Sequence, residues 1–325
     1  MGQNKPLTFE LSVSNASDYL GYPCTATFLG GGVSNTVLLI ESPKGRFVLK
    51  QSLGKLRVEQ DWFSDRRRIF RESSAMRQLA RVLPPGAVPE ILFEDRENYL
   101  FAMSAAAPES EPWKDLLLRG EVYPDTAESI GGLLGTMIAC TWKDLQAEAE
   151  FGDQTIFGEL RLDPYYRSTA SRHPDLAAWF GALIQESQSR RHSLVHGDWS
   201  PKNFLVSGAS VMAIDFEVIH FGDPSFDAAF LLNHLLLKSF YRPQSSVGLH
   251  AAARRFWTAV TEAVPPSNDW FETATIQHLG ALLLARIDGK SPAEYIREEA
   301  LKTEIRAYAR RLILDPPKRI GDIYA

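Results

Sequence analysis

Cysteine is nearly absent. Two residues in 325, Cys24 and Cys140, are too few for a disulfide framework, so a reducing, cytoplasmic setting is expected. The seven histidines form no HExxH and no Cys/His zinc spacing; His192 and His196 straddle a strand-like stretch where their rings need not meet, so no zinc site is expected. Charge of one sign is missing too. Lys and Arg number 35 against 40 Asp and Glu, a net charge of −5, which argues against a nucleic-acid partner and requires any anionic ligand to be held by local groups. No apolar run reaches the ~20 residues that span a bilayer. "IGGLLGTMIACTW" and "AAFLLNHLLL" read as buried helices, and "MGQNKPLTFELSVSNAS" lacks the basic and apolar regions of a secretory leader, so no membrane partner is expected. Internal repeats and low-complexity tracts are also lacking, and nothing in the sequence speaks to oligomeric state.

What is present is a chain 45% hydrophobic, long enough for two lobes with a sizeable core. "TVLLIES" and "RFVLKQ" read as a β-hairpin turned by Pro43 and Gly45. In "SDRRRIFRESSAMRQLARVL", Ile69, Met76, Leu79 and Leu83 fall on one helical face. "PEILFE" and "NYLFAM" form a second hairpin around Asp95 to Glu97. Past Met103 the texture turns small and polar in "SAAAPESEP", then almost wholly helical, which places a boundary there. "DTAESIGGLLGTMIACTW" opens on Asp125 and Glu128, close to a capping box. Its Gly131, Gly132 and Gly135 either admit close helix packing or break the helix.

"LVHGDWSPKNFLV", residues 194–206, sets a histidine, an aspartate and an asparagine between two short apolar runs, and so reads as a polar loop pinned at both ends by buried strands. "VMAIDFEV" follows after a strand and a turn, so Asp198 and Asp215 stand at neighbouring strand ends with Asn203 between them in sequence. One carboxylate can accept a proton from an attacking hydroxyl; the other, with an amide oxygen, offers hard ligands to Mg²⁺. That set suits phosphoryl transfer, in which catalysis is mostly positioning and charge neutralisation. The plainer reading is an Asp/Pro/Asn turn.

Such chemistry requires a cation for the phosphates. Alternation along "RFVLKQ" places Phe47 and Leu49 on one face and Val48 and Lys50 on the other. Glu72 sits on the apolar face of its helix, where a buried carboxylate needs a cation. Lys50 is the natural partner, with Glu59 as the other carboxylate it could take. Upstream, "FLGGGVSNTVLLI" has glycines (Gly30, Gly31, Gly32) whose amides can approach phosphate oxygens, and Ser34 or Asn35 can add donors. It is neither GxGxxG nor a Walker A loop.

The ordered series "GGGVSNTVLLI", "VLKQ", Glu72, "HGDWSPKN" and "IDFE" resembles the aminoglycoside phosphotransferase and choline kinase superfamily, small-molecule relatives of protein kinases. The resemblance implies an α+β, bilobal, protein-kinase-like fold. Residues 1–103 would form a nucleotide-binding lobe of small antiparallel sheet plus helix, and residues 104–325 a larger, mostly helical lobe with the catalytic loop and substrate pocket. It implies ATP and Mg²⁺ as cofactors, Asp198 as catalytic base, and Asn203 and Asp215 as metal ligands. Lys50 would bind the α/β-phosphates, Glu72 would orient it, and Met103, Ser104 and Ala106 would belong to the adenine hinge. Asp227 resembles the aspartate that buttresses the catalytic loop, and His196 would support that loop. "VLKQSLGKLRVEQDWFSDRRRIFRE" and "IDFEVIHFGDPSFDAAF" further resemble methylthioribose kinases, with "FGELRLDPYYRS" a fainter match; Asn203 is a departure, since those kinases commonly have serine there.

A protein kinase would place a lysine two residues after Asp198, where Ser200 stands, and a long activation segment where only eleven residues separate Asp215 from Asp227. The expected partner is therefore a small hydroxylated molecule: a sugar-like metabolite, an amino alcohol or an aminoglycoside. A catalytically inactive ATP-binding regulator is the alternative. Trp199, Glu217, His220 and Tyr166 are candidates for the substrate pocket, although Tyr165 and Tyr166 read equally well as core. Arg66 to Arg68 could meet a phosphate or an acidic substrate, or form a solvated helix start. A cationic acceptor would favour an acidic pocket and a sugar a mixed one.

Overall fold

The two hairpins join with one further strand into a single antiparallel sheet. The computed structural model describes residues 9–30, 35–54, 65–265 and 270–325, so Gly31, Gly32, Ser34 and Glu59 lie outside the described residues. Strands β1 (Thr25–Gly30), β2 (Asn35–Ser42), β3 (Gly45–Ser52), β4 (Ile91–Asp95) and β5 (Leu100–Ser104) are ordered β1-β2-β3-β5-β4. The β2–β3 turn closes with Ser42 opposite Gly45, whose φ of +117° suits a residue without a Cβ. Phe47 and Leu49 on β3 enter a buried cluster with Leu38, Ile40, Leu100 and Ala102; strand alternation turns Lys50 to the other face. The helix Arg68–Leu79 buries Ile69, Glu72, Met76 and Leu79, the three- and four-residue spacing of one face. Leu83, expected on that face, lies beyond the helix end.

Two compact units result: residues up to Arg81 with Val88–Pro108, and Val82–Ala87 with Glu109–Ala325. In the second unit the helix Pro124–Cys140 runs unbroken through its glycines. The reason is packing. A Cβ on Gly131 would stand 2.5 Å from the Phe256 carbonyl oxygen, and one on Gly135 2.9 Å from the Ala263 Cβ, so the glycines let the helix Ser246–Ala263 approach closely. The expected capping box is not formed. Tyr123 is the N-cap without a side-chain bond, and Asp125 and Glu128 instead engage Arg255. The helices Ser225–Tyr241 and Trp270–Asp288, buried over almost their whole length, pack against each other in the core. No helix among the described residues is long and apolar enough to cross a membrane.

Three short pairings frame the polar loop. β6 (Glu111–Pro112) pairs with β8 (Phe204–Ser207), which pairs with β9 (Ser210–Ala213); β7 (Ser193–Val195) pairs with β10 (His220–Gly222). The strands entering and leaving the loop thus belong to different small sheets. The loop is fixed at both ends because each of its flanks is bonded elsewhere.

Candidate active site

The loop begins where β7 ends, and its backbone is clamped before any side chain acts. Asp227, fully buried near the start of its helix, accepts N–H bonds from His196 (2.6 Å) and Gly197 (2.9 Å). Burial pushes its carboxyl up to about 7 even though both N–H groups favour the ionised form. Gly197 has φ +76°, and a Cβ there would meet Val218 Cγ1 at 2.7 Å, so the position requires glycine. His196 is buried and its pKa falls to about 4 for that reason, which keeps the ring neutral. Its Nδ1 accepts the Asp198 N–H at 3.1 Å while Nε2 donates to the Ile214 carbonyl at 3.1 Å. One ring thereby ties the residue before Asp215 to the backbone of Asp198.

The Asp198 side chain is 6% exposed and carries two cations. Lys202 Nζ lies 2.8 Å and Arg161 Nη2 3.0 Å from Oδ2. Burial alone would raise this carboxyl; Lys202 and Arg161 outweigh it and hold the group well below the usual carboxylate range. Arg161 comes from a ten-residue π-helix, Gly158–Arg167, and also donates from Nε to the Gly197 carbonyl. Neither cation was singled out in the sequence. Lys202 stands in the loop, four residues after Asp198 rather than two, and Arg161 stands in "FGELRLDPYYRS", three residues before Pro164 and the two tyrosines.

Asn203 donates from Nδ2 to the Asp198 carbonyl (2.9 Å) and from its backbone N–H to Ser200 (2.9 Å), and its own carbonyl accepts the Ile214 N–H at 2.9 Å. Asp215 follows in the left-handed region, φ +68°, a conformation aspartate tolerates better than most residues. It is half-buried and acts electrostatically on Lys202, Arg161 and His196. The structure therefore gathers Asp198, Asn203 and Asp215 into one bonded framework. Among the described residues no three His, Cys, Asp or Glu side chains form a metal cluster. Asn203 and Asp215 would offer one amide oxygen and one carboxylate, donor types compatible with Mg²⁺, which takes few protein ligands and fills its shell with water and phosphate oxygens.

Beside Asp198 a cavity of about 310 Å³ opens within the second unit, with Arg161, Tyr165, Ser200, Lys202 and His234 in its wall. Trp199, His220 and Tyr166 are not in that wall. Trp199 is 1% exposed and packs edge-on against Phe204 at 4.8 Å. His220 sits on β10, stacked on Phe157 at 4.2 Å. Tyr166 is buried, with its hydroxyl 2.7 Å from His278 Nδ1. All three are buried among other aromatic side chains. Glu217 also lies outside the wall, although it acts electrostatically on Arg161.

In the first unit, Lys50 Nζ lies 2.7 Å from Glu72 Oε1, with side chains only 5% and 2% exposed. This is the pairing expected from the strand and helix faces. Met103 pairs across the sheet with Val48 and Ile91. Ser104 exchanges bonds with the Glu90 backbone, and the Ala106 carbonyl accepts from Arg46. Gly30 ends β1 beside an irregularity in its register with β2, on which Asn35 is the first residue. Arg66 bonds the Ser52 and Asn98 carbonyls, Arg67 pairs with Asp65, and Arg68 reaches the Asp65 carbonyl.

A clamped loop presenting an aspartate, an asparagine five residues on and a second aspartate beyond a β-hairpin defines a phosphotransferase-type framework. Residues 25–262 match the family described as "Phosphotransferase enzyme family", and the chain belongs to it. The chain is similar to the methylthioribose kinase of Escherichia coli O45:K1 (strain S88 / ExPEC), 28% identical over 245 residues that cover 66% of this chain and 58% of that enzyme. It is also similar to methylthioribose kinase 2 of Oryza sativa subsp. japonica, 25% identical over 240 residues, 65% of this chain and 56% of that enzyme. The chain thus spans under three fifths of the length of these curated relatives (58% and 56%). Among solved structures, the amicoumacin kinase hAmiN in complex with AMP-PNP, Ca²⁺ and Ami has a TM-score of 0.55 at 15% identity, covering 92% of this chain and 91% of that one. The ADP-bound aminoglycoside phosphotransferase APH(2'')-Ib has a TM-score of 0.54 at 13% identity, covering 92% and 97%. At these identities the likeness carries the α+β fold.

Proposed function

We propose that the protein transfers the terminal phosphoryl group of ATP to a hydroxyl of a small molecule, as a metabolite kinase. The observation that carries this reading is the Asp198 carboxylate: backbone-clamped, ionised, and set beside a cavity of about 310 Å³. In a loose phosphoryl-transfer transition state the proton leaves the attacking hydroxyl late, so an aspartate of low basicity serves by orienting the hydroxyl and receiving its proton. Lys202 and Arg161, on the same carboxylate, are placed to share charge with an incoming phosphoryl group. Asn203 and Asp215 would hold Mg²⁺, which when bound neutralises phosphate charge. Lys50, aimed by Glu72, would take the α/β-phosphates. Gly30, Asn35, Met103, Ser104 and Ala106, with Gly31, Gly32 and Ser34 from the glycine loop, would bind nucleotide.

The curated relatives are named for methylthioribose, a sugar derivative, which supports a hydroxyl-bearing, sugar-like acceptor. The test is ADP release with ATP, Mg²⁺ and a panel including methylthioribose, choline and an aminoglycoside. Turnover with at least one small hydroxylated acceptor, lost in Asp198→Asn, is expected. ATP binding without turnover of any acceptor would favour the non-catalytic regulator instead.

A further inference from the structure

The cavity beside Asp198 is charged on one side of the ledger. Five cationic side chains, Lys114, Arg161, Lys202, Lys238 and Arg286, line it against two carboxylates, Asp198 and Glu294. Those carboxylates are already engaged: Asp198 by Arg161 and Lys202, and Glu294 by Lys114. Arg286 Nη2 comes only within 4.0 Å of Glu294. Lys238 has no carboxylate partner among the described residues. It is 1% exposed, its ammonium 3.5 Å from the His234 carbonyl and 5.2 Å from the Tyr295 ring centre.

Near Lys238 buried donors go unused. Arg286, 8% exposed, spends Nη1 on Ser291, yet its Nε has no acceptor among the described residues; neither has the Tyr295 hydroxyl. Buried donors left without an acceptor are rare in a finished core. Both residues line the cavity together with Lys238, which has no carboxylate partner among the described residues, while Arg286 holds only a long pairing with the already engaged Glu294, so the group this wall suits is one that accepts hydrogen bonds and carries negative charge. A neutral polyol supplies acceptors without charge. A cationic acceptor would meet Lys238 and Arg286 in a low-dielectric wall, where repulsion is strong.

Given the phosphotransfer reading above, we propose that the acceptor is a small hydroxylated oxyanion, a carboxylate or a phosphate monoester, whose anionic group is bound by Lys238 and Arg286 while its hydroxyl reaches Asp198. The electrostatics agree with the geometry. Burial, reinforced by Lys114 and Arg286, lowers Lys238 to about 7, so a bound anion restores the charge that the empty pocket suppresses. His234, also in the wall, is held neutral by burial first and then by Lys238 and Arg286, and burial keeps Tyr295 protonated as a donor.

The experiment compares matched acceptors by ADP release: glycerol with D-glycerate and glycerol 3-phosphate, ribitol with ribonate and ribose 5-phosphate, and choline as the cation. At least a tenfold higher kcat/KM for an acid member than for its neutral parent is expected, and the carboxylate and phosphate arms identify which oxyanion is used. Lys238→Met and Arg286→Gln should each raise KM for that acid at least tenfold and collapse the ratio. Preference for the neutral or cationic member, or an unchanged ratio in both variants, overturns the proposal while leaving phosphotransfer intact. Thermal stabilisation of the wild type by D-glycerate or glycerol 3-phosphate, absent in Lys238→Met, reads the anion site independently. Such stabilisation with no turnover of any acceptor would refute the phosphotransfer reading and the acceptor role with it.

Discussion

Replacing Lys238 by methionine should stabilise the ligand-free protein, and by an amount that depends on pH. Methionine keeps the length of the side chain and removes the charge. In the folded state burial, followed by Lys114 and Arg286, lowers the lysine from 10.5 to about 7, with Glu294 opposing. Unfolding returns it to water. Between pH 7 and 10.5 the unfolded chain therefore holds a proton that the folded chain has released, and wild-type stability rises with pH across that window. At ~1.4 kcal/mol per pH unit, the cost of burying this lysine is about 5 kcal/mol at pH 6 and about 1 kcal/mol at pH 9.5. Methionine carries neither cost, but it loses the contacts with the Tyr295 ring and the His234 carbonyl, worth about 1 kcal/mol together. The expected net gain is thus about 4 kcal/mol at pH 6, shrinking to near zero at pH 9.5. Urea unfolding of both proteins at the two pH values measures it. Equal stability at pH 6, or a gain that does not shrink by pH 9.5, would refute the account of Lys238 as a buried, uncompensated cation.

Other substitutions test the rest of the framework. Asp215→Asn keeps the side-chain shape and tolerates the left-handed backbone but removes a charge; turnover should fall more than 100-fold and the Mg²⁺ concentration for half-maximal rate should rise, and full activity would remove the metal role. Glu72→Gln takes the carboxylate from Lys50 at 2.7 Å and should destabilise the protein by about 3 kcal/mol while raising KM for ATP; an unchanged KM would detach this pair from nucleotide binding. Gly197→Ala combines a strained φ with a 2.7 Å approach to Val218 and should cost at least about 2 kcal/mol in denaturant unfolding, with near-total loss of turnover. A fully active, fully stable alanine variant would mean the loop is not clamped as described.

The framework was legible in the sequence where the chemistry is local. Asp198, Asn203 and Asp215 lie in two neighbouring segments, and short strands with fixed pairing convert their spacing into geometry. The same holds for Lys50 and Glu72, because strand alternation and helix periodicity each assign a face. Legibility failed at residues whose type suits two environments. Trp199, His220 and Tyr166 are large side chains near polar sequence, and only tertiary packing decides whether such a side chain lines a pocket or closes a core; all three close the core. Gly131 and Gly135 likewise could not be told from helix breakers until the helix Ser246–Ala263 was seen against them.

The character of the pocket was the least legible property of all, and for a physical reason. A net charge of −5 describes the chain as a whole and says nothing about the wall of one cavity. That wall draws Lys114, Arg161, Lys238 and Arg286 from four helices far apart in sequence. In its helix, Lys238 sits amid leucines and aromatics where a sequence reading finds only core. A buried lysine without a carboxylate destabilises the fold that contains it, so its placement is informative in a way that an exposed lysine is not. The same charge that weakens the empty protein strengthens its grip on an oxyanion, and raising the pH from 6 to 9.5 should weaken binding of D-glycerate as it relieves the folding cost. Affinity and stability would then move in opposite directions across one titration, that of Lys238, faced by Lys114, Arg286, Glu294, His234 and Tyr295.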